Sequence, residues 1–380
     1  MGFPLNDSRV SPRAERLHRD ALVVDLHADT PSEFFLDPSY DFGVRHEDGH
    51  VDLPRMREGG VDAEFMIAWV PAELASQPGA AGAHALRLVE AIRDVAARTP
   101  GTRLATSAAE IEAARESGDV ALLIGVEGGH ALENSLEMLA RFHAAGVRYV
   151  TLTWNNANDW ADACCSPPRH GGLTEFGREV VREMNRLGIL VDVSHAADTT
   201  VEQVLEVSEA PILASHSCAR ALARLPRNLT DELARAIARR GGVIGVNFFP
   251  GFLDERYGAR FDALMKEMEQ RVDAAYAVHG DRDRARREAH AWLRSRLDAL
   301  EPVPLDRLLD HVDHLVRVAG VDHVALGSDF DGVAALPAGV RDVADMPRIT
   351  EGLLARGHSE EDVAKILGLN VLRLLREVTG

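Results

Sequence analysis

Eight short apolar runs alternate with longer stretches of helical periodicity along this sequence, and this alternation limits the folds that the chain can adopt. The apolar runs, read as strands, cover residues 21–29, 62–70, 120–128, 147–154, 188–195, 211–217, 242–249 and 323–330. Amphipathic stretches, such as residues 84–98, separate most of them, as is typical of repeated β-α-β units. The pattern predicts an α/β protein with a (β/α)8 barrel, the TIM-barrel architecture, although a doubly wound sheet has a similar alternation.

The interval between the seventh and eighth predicted strands is unusually long. Residues 255–300 fill much of it and are rich in Arg, Glu, Asp and Ala, a composition that predicts long, exposed helices. We interpret them as a helical insertion in the barrel and not as a second domain, because no Pro-, Ser- or Gly-rich linker divides the chain. The expectation is therefore one barrel domain over residues 1–380.

The charge balance and the cysteine content limit the partners and the location that can be expected for the protein. The sequence has 42 Lys and Arg against 60 Asp and Glu, and a net charge of -18 favours neither nucleic-acid binding nor attachment to an anionic membrane. No run approaches the ~18 apolar residues of a membrane helix, and the polar N-terminus shows no apolar signal segment. Three cysteines, Cys164, Cys165 and Cys218, form no disulfide framework. We therefore expect free thiols and a cytoplasmic location.

Residue types that bind metals stand at the ends of most predicted strands. They are His27, Asp29, Glu127, His195, His216, Asp329 and Asp331. In a barrel the C-terminal ends of all strands open onto one face, so these residues would converge there. Strand alternation also predicts that Asp25, His27 and Asp29 share a face, where buried charge is costly unless it is paired or metal-bound. Imidazole and carboxylate ligands together favour zinc, with manganese, iron or cobalt as alternatives.

Several motifs resemble the membrane dipeptidase (renal dipeptidase) family of binuclear zinc metallopeptidases, in the amidohydrolase group of barrels. The motifs are VVDLHADTP, HVDLPRMREGGVDAEF, GVEGGHAL, LVDVSHAAD, APILASHS, RNLTDELA, LGSDFDG and GLNVLRLLREV. They stand in the order of the family and extend from about Ala21 to the C-terminus. The resemblance implies a homodimeric dipeptidase that hydrolyses dipeptides with a free C-terminal carboxylate.

The resemblance also implies the ligands of two zinc ions. His27 and Asp29 match the pair that binds the first ion, His195 and His216 match the ligands of the second, and Glu127 matches the bridge between them. A hydroxide held between two divalent ions is a strong nucleophile near neutral pH. A carboxylate suits the bridging position because its two oxygens can serve two cations and offset their charge.

Two further residues match family positions that handle the proton and the substrate. Asp329 matches the aspartate that takes a proton from the attacking water and passes it to the leaving amine. Arg227 matches the arginine that receives the terminal carboxylate of the substrate, a role for which a guanidinium offers two parallel donors. On the residues alone Arg227 could equally be a surface arginine, since Arg220 and Arg224 lie nearby in the sequence.

The fourth predicted strand departs from the family pattern. Many members end it in Thr-Leu-Thr-His, whose histidine contacts the substrate carbonyl oxygen, but Trp154 stands in that place here. An indole N–H can donate a hydrogen bond but cannot act as a base. Asn155 or Asn156 could supply an amide donor instead, or a metal ion could polarise the carbonyl alone. We predict Trp154 and Asn155 as substrate-binding residues, with a packed barrel-end aromatic as the other reading of Trp154.

Two other functions fit the same residues. The first is another amidohydrolase-type hydrolase, a lactonase, deaminase or cyclic-amide hydrolase, because fold and ligands alone do not choose the substrate. The second is a metal-binding scaffold with a decayed site and no activity. The Arg227-Asn228 pair favours dipeptides over the first alternative, and five retained ligands together with Asp329 argue against the second.

Overall fold

The computed structural model describes residues 10–37, 39–279, 281–297 and 299–379. Residues 1–9, which begin the polar N-terminus considered above, lie outside the described residues. The expected single domain over residues 1–380 thus includes residues at both ends that lie outside the described ranges. Within the described ranges, no helix combines the length and the apolar character that a membrane crossing requires.

Nine strands, all paired in parallel, form the sheet of the described chain. They are β1 (Val24–Ala28), β2 (Ala63–Trp69), β3 (Thr102–Leu104), β4 (Val120–Glu127), β5 (Val147–Thr151), β6 (Leu190–Asp192), β7 (Leu213–Ala214), β8 (Val243–Val246) and β9 (Val324–Leu326). Eight of them close into a barrel in the order β1-β2-β4-β5-β6-β7-β8-β9, with β9 paired to β1. The predicted (β/α)8 barrel is confirmed.

The ninth strand, β3, is not part of the barrel wall. It pairs only with the first residues of β4, whereas β2 pairs with β4 along its whole length and closes the wall past β3. The sequence analysis did not predict β3. Its three residues, Thr-Arg-Leu, are too short to show a period.

Sixteen α-helices accompany the strands in the described residues. They are α1 (Pro12–Asp20), α2 (Pro31–Leu36), α3 (Leu53–Glu58), α4 (Ala80–Arg98), α5 (Ala108–Ser117), α6 (Leu136–Ala144), α7 (Glu175–Leu187), α8 (Asp198–Val207), α9 (Asp231–Arg239), α10 (Pro250–Leu253), α11 (Glu255–His279), α12 (Arg282–Leu297), α13 (Leu305–Ala319), α14 (Pro347–Ala355), α15 (Glu360–Ala364) and α16 (Asn370–Thr379). A π-helical turn, Lys365–Leu369, joins α15 to α16 and packs against β1 and β9.

The predicted insertion is the helix pair α11 and α12, which lies between the seventh and eighth strands of the barrel. The two helices pack against each other through an apolar cluster of their own. That cluster contains Met268, Val272, Ala285, Ala289 and Leu293. The guanidinium of Arg271 on α11 also stacks on the ring of Trp292 on α12, 4.2 Å from its centre. The pair is therefore held together by contacts separate from those of the barrel core.

The eight strands of the barrel wall are buried on both faces, which explains why they read as nearly continuous apolar runs. Phe65 and Leu123 belong to one apolar cluster, inside the barrel. Their chain neighbours Met66 and Ile124 belong to a second cluster, which includes Ile92 of α4 and so lies between the strands and the surrounding helices. This double burial makes the barrel rigid and places the strand ends, where the polar residues lie, in a defined arrangement.

Candidate metal centre

Six of the predicted site residues converge at the C-terminal mouth of the barrel. They are His27 in β1, Asp29 just after it, Glu127 at the end of β4, and His195, His216 and Asp329 in the loops after β6, β7 and β9. Each is buried, and none exposes more than 8% of its surface. Their ligand atoms form three overlapping groups in which all atoms lie within 4.8 Å of one another.

Glu127 is shared by two of the three groups, and its two oxygens face different histidines. Oε1 lies 3.1 Å from His195 Nε2 and 3.4 Å from His216 Nε2. Oε2 lies 3.7 Å from His27 Nε2, which in turn is 3.5 Å from Asp29 Oδ2. The arrangement is that of a carboxylate between two ligand sets. The third group joins His27 and His216 to Asp329.

Hydrogen bonds at the Nδ1 atoms of His195 and His216 leave the Nε2 atoms of both rings as lone-pair donors. His195 Nδ1 donates to Asn155 Oδ1 at 2.9 Å. His216 Nδ1 lies 2.7 Å from Ser215 Oγ, whose own hydrogen is directed to Asp192. With Nδ1 protonated, a neutral imidazole presents a bare Nε2, as in most histidine metal sites. Both rings are thereby oriented for a cation.

The nitrogen and oxygen atoms that face the centre of the site do not satisfy one another's hydrogen-bonding capacity. Such a set of unpaired lone pairs is what a metal ion would fit. The Nε2 atoms of His195 and His216 are 3.0 Å apart, and both face Glu127 Oε1. Buried atoms of His27, Asp29 and Glu127 also have no hydrogen-bond partner: Nε2, Oδ1 and Oε1 respectively. Lone pairs this close repel unless a cation lies among them. A donor set of imidazoles and carboxylates suits two divalent ions.

The protonation states of Glu127, His195 and His216 favour metal binding. Burial opposes the charge of Glu127, but His27, His195 and His216 outweigh it and hold the pKa of Glu127 well below its usual range. Burial lowers the pKa of His195, and burial with the charges of His27 and Arg227 lowers the pKa of His216 well below its usual value. An ionised glutamate and neutral histidines are the forms that bind metals.

His27 and Asp29 show the opposite balance. Burial lowers the pKa of His27, but the charges of Glu127 and Asp29 raise it well above its usual value. Burial raises the pKa of Asp29 to about 7, against the influence of His27. A metal ion at this pair would therefore replace a proton, and metal binding here would release that proton to solvent.

Three residues of the site hold the backbone in the left-handed region. They are His195 at φ 66°, Asp329 at φ 65° and Asp331 at φ 63°. Non-glycine residues in this region cost about 1–3 kcal/mol each and cluster at functional sites. Gly332 follows directly, and a Cβ there would lie 2.1 Å from Asp29 Oδ2 and 2.4 Å from Asp329 Oδ1. Only glycine lets the chain pass so close to both carboxylates.

Asp25 lies outside the three ligand groups, although strand alternation predicts that it shares a face with His27 and Asp29. The pairing of β1 with β2 shifts between Asp25 and Ala28, which marks a β-bulge. Leu26 packs inside the barrel, whereas Ala28, two residues later, packs in the outer cluster. The alternation is thus broken, so that His27 and Asp29 reach the site and Asp25 does not.

Asp331 also lies outside the three ligand groups. Its Oδ2 accepts a hydrogen bond from Thr30 Oγ1 at 2.6 Å, and its Oδ1 accepts the backbone N–H of His50. The backbone N–H of Asp331 in turn donates to His50 Nδ1 at 2.9 Å. Asp331 therefore ties the loop after β9 to neighbouring loops and supports the segment that carries Asp329.

Asp329 is fixed by a residue that the sequence analysis did not single out. Asn247 Nδ2 donates to Asp329 Oδ2 at 2.8 Å, and Asn247 Oδ1 accepts the backbone N–H of Phe249 at 2.6 Å. Asn247 is fully buried just after β8. Its only signal in the sequence is a polar residue inside the apolar run 242–249, the same signal that pointed to the ligands.

Arg227 lies beside the candidate metal ligands and not on the surface. Its Nη2 donates to the backbone oxygen of His216 at 2.8 Å, and its Nη1 donates to Ser217 Oγ at 3.1 Å. The guanidinium packs over the ring of Phe252 at 5.2 Å, and only 4% of the residue is exposed. Its buried Nε–H has no partner. The arginine thus offers an unused donor next to the cluster.

Trp154 and Asn155 lie at the rim of the site in different roles. Trp154 is half-buried and meets Trp69 edge-to-face, with ring centres 5.2 Å apart. Trp69 is the last residue of β2 and is the β-partner of Glu127, so the indole pair stands beside the carboxylate of Glu127. Asn155 contacts the ligand His195, as described above. That contact orients the imidazole of His195, a role for Asn155 that the sequence analysis did not foresee.

A closed barrel whose strand ends surround a shared glutamate with histidines and carboxylates is the architecture of a metal-dependent hydrolase. The model of one family, Membrane dipeptidase (Peptidase family M19), matches residues 11–380. The chain belongs to this family, and the resemblance seen in the motifs is confirmed.

Dipeptidases are among the known proteins that are similar to this chain over nearly its whole length. Dipeptidase 3 of Mus musculus is 33% identical over 382 residues, which cover 98% of this chain and 68% of that protein. Dipeptidase 3 of Homo sapiens is 33% identical over 375 residues, which cover 96% of this chain and 67% of that protein.

Solved structures agree with the fold at similar coverage. The probable dipeptidase PvdM from Pseudomonas aeruginosa superposes with a TM-score of 0.82 at 28% identity, covering 97% of this chain and 99% of that one. A metallo peptidase from Rhodobacter sphaeroides, liganded with a phosphinate mimic of the dipeptide L-Ala-D-Ala, gives a TM-score of 0.76 at 28% identity, covering 94% and 99%.

Proposed function

We propose that this protein is a binuclear zinc dipeptidase that hydrolyses the peptide bond of dipeptides with a free C-terminal carboxylate. The observation that carries the proposal is Glu127, whose two oxygens face two sets of buried ligands. Arg227 lies next to one of those sets. The family and the dipeptide mimic bound to the Rhodobacter sphaeroides relative support this substrate class.

Two ligand sets would hold the ions: His27 with Asp29, and His195 with His216, bridged by Glu127. When bound, two zinc ions would supply Lewis acidity and a hydroxide, shared between them, as the nucleophile near neutral pH. The protein fixes the ligands from behind through Asn155 and Ser215, and such supporting hydrogen bonds keep the rings oriented.

Asp329 is the residue that we propose to move the proton. Asn247 holds its Oδ2 by a hydrogen bond, which leaves Oδ1 beside Asp29 and Gly332 at the centre of the site. In this position Asp329 would accept a proton from the attacking water and deliver it to the amine of the departing residue. One oxygen of the Asp329 carboxylate lies within 4.8 Å of ligand atoms of His27 and His216.

Arg227 is the residue that we propose to read the free carboxylate. A guanidinium has five N–H donors, and the two hydrogen bonds of Arg227 to His216 and Ser217 leave others, including the buried Nε–H, for a substrate. The protein contacts of the arginine fix it in place, so less conformational entropy is lost when a carboxylate binds.

Arg227→Met should raise KM for free dipeptides by about 10- to 150-fold, because one charge-assisted pair in a partly dry site contributes about 1.5–3 kcal/mol. Blocking the carboxylate as an amide should impair the wild-type protein by a similar factor and the variant little. Steady-state kinetics on both substrates with both proteins measure this coupling.

The matched control is Arg224→Met, which removes an exposed arginine three residues away. It should leave KM for dipeptides and for their amides unchanged. If the wild-type protein cleaves dipeptide amides as well as free dipeptides, Arg227 does not read the carboxylate, and a broader amidohydrolase activity is favoured.

Trp154 and Trp69 are proposed to wall the pocket for a substrate side chain. Their edge-to-face contact presents two aromatic surfaces beside Glu127. An apolar side chain of the dipeptide would gain from burial against them. No imidazole stands at position 154 to contact the substrate carbonyl. Asn155 or Asn156 would supply an amide donor to that carbonyl, or zinc ions, when bound, would supply the Lewis acidity that polarises it.

A substrate screen tests the proposal against its alternatives. Protein of measured metal content is offered L-Xaa-L/D-Xaa dipeptides, lactones and cyclic amides at matched concentrations. We expect metal-dependent hydrolysis of dipeptides with the highest kcat/KM. A lactone or cyclic amide as the best substrate would favour another hydrolase on this barrel, and no metal-dependent turnover of any substrate would favour the scaffold alternative.

We also propose that the chain acts as a homodimer in the cytoplasm, on small dipeptides and without nucleic-acid or membrane partners. Homodimers are what the family resemblance implies. All three cysteines are free thiols in the structure, which is consistent with a reducing compartment.

A further inference from the structure

Two adjacent cysteines lie in the loop between β5 and α7 and take no part in the proposed catalysis. The Sγ atoms of Cys164 and Cys165 are 3.0 Å apart. Cys165 is exposed and Cys164 is half-buried. Cys164 also borders a cavity of about 470 Å³, together with Arg220 and Arg224. Small molecules in solution can therefore reach this pair.

The same two-residue segment is attached to a metal ligand. The backbone N–H of Cys164 donates to the backbone oxygen of His195 at 2.8 Å. The preceding residue, Ala163, forms an antiparallel bridge with Ala196, the residue after His195. His195 itself lies in the left-handed region at φ 66°. A shift of the backbone at Cys164 would therefore act directly on the peptide that holds His195 in its strained conformation.

We propose that Cys164 and Cys165 form a reversible oxidation site, at which a hydroperoxide converts the two thiols into a vicinal disulfide that weakens the binding of metal by His195. The exposed thiolate of Cys165 attacks hydrogen peroxide and breaks the O–O bond, giving a sulfenic acid and hydroxide, which takes up the thiol proton as water. The thiolate of Cys164 then attacks the sulfenic sulfur and displaces a second hydroxide, which also leaves as water. Two thiols and one peroxide thus give one disulfide and two waters.

The adjacency of the two residues makes this disulfide easy to reverse. Disulfides usually join Cα atoms about 4.4–6.8 Å apart, but consecutive Cα atoms are only about 3.8 Å apart across a trans peptide. A bond between Cys164 and Cys165 therefore strains the backbone that joins them. Strained and exposed disulfides have more oxidising potentials and are the ones that serve as labile switches. Part of the strain would reach the hydrogen bond from Cys164 to His195.

The test titrates the zinc-loaded full-length protein with hydrogen peroxide under native conditions. We expect the intact mass to fall by two hydrogen atoms, two thiols to become resistant to alkylation, and peptide mapping to place both in one peptide with Cys218 still alkylated. Dithiothreitol should restore the mass. Cys218→Ser should behave as the wild type, because Cys218 is buried and donates to Asn247 O. Cys164→Ser should form no such disulfide.

The coupling to the metal is read separately, by competition for zinc with a chromophoric chelator. Oxidation should lower zinc affinity by about 10–100-fold, the usual effect of losing a supporting contact behind a ligand. Cys165→Ser treated with peroxide should show no reversible change. Disulfide-linked dimers or overoxidised Cys165 without the internal disulfide would overturn the oxidation site, and an internal disulfide with unchanged zinc affinity would overturn its action on His195. Neither readout needs turnover. The disulfide readout is independent of the proposed function, whereas the zinc readout rests on the proposed role of His195 as a zinc ligand.

Discussion

Asp329→Asn is expected to lower kcat for dipeptide hydrolysis by about 10²–10⁴-fold, the usual contribution of a positioned general acid–base group, while both metal ions stay bound. Asparagine has nearly the same shape, and its side-chain oxygen can still accept the hydrogen bond from Asn247. It cannot take up and release a proton. The measurement is kcat on a dipeptide together with elemental analysis of metal per chain.

Asp331→Asn is the matched control, because Asp331 has the same positive φ in the same loop but lies outside the ligand groups. Its effect on kcat should be much smaller than that of Asp329→Asn. An Asp329→Asn protein with near wild-type activity would exclude Asp329 as the acid–base group. A variant that loses a metal ion would instead make Asp329 a ligand, a role its proximity to His27 and His216 allows.

Glu127→Ala is expected to remove both metal ions and, with them, essentially all metal-dependent turnover. Glu127 has one oxygen directed at His195 and His216 and the other at His27, so its loss removes negative charge from both ligand sets at once. The buried imidazoles would then face one another without a counter-charge. Elemental analysis of the purified variant, and the shift of its Tm on adding zinc, measure the loss.

Glu64→Gln provides the comparison, because Glu64 is a fully buried carboxylate of β2 that lies outside the ligand groups. This control should retain two metal ions and a zinc-dependent rise of Tm, since ligands that bind only the folded state stabilise it. Two tightly held ions in Glu127→Ala would refute the bridging assignment. Loss of metal in both variants would indicate general damage to the barrel.

The sequence by itself determined the barrel and the residue types of its candidate metal centre. Strands buried on both faces must be apolar throughout, so the eight runs were visible without a structure. Polar residues that end such runs, such as His27 and Glu127, are conspicuous for the same reason. Closure of a parallel barrel brings all C-terminal strand ends to one mouth, so their convergence followed from the fold class alone.

Only the tertiary structure decided how those residues are supported and which of them take part. The bulge in β1 that separates Asp25 from His27 and Asp29 depends on the register with β2, which no local pattern records. The hydrogen bond from Asn247 to Asp329 joins residues 82 positions apart. Such contacts are set by distances between side chains on different strands and loops. Periodicity along one segment contains no information about those distances, and so it could predict the candidate ligands but not the contacts that orient them.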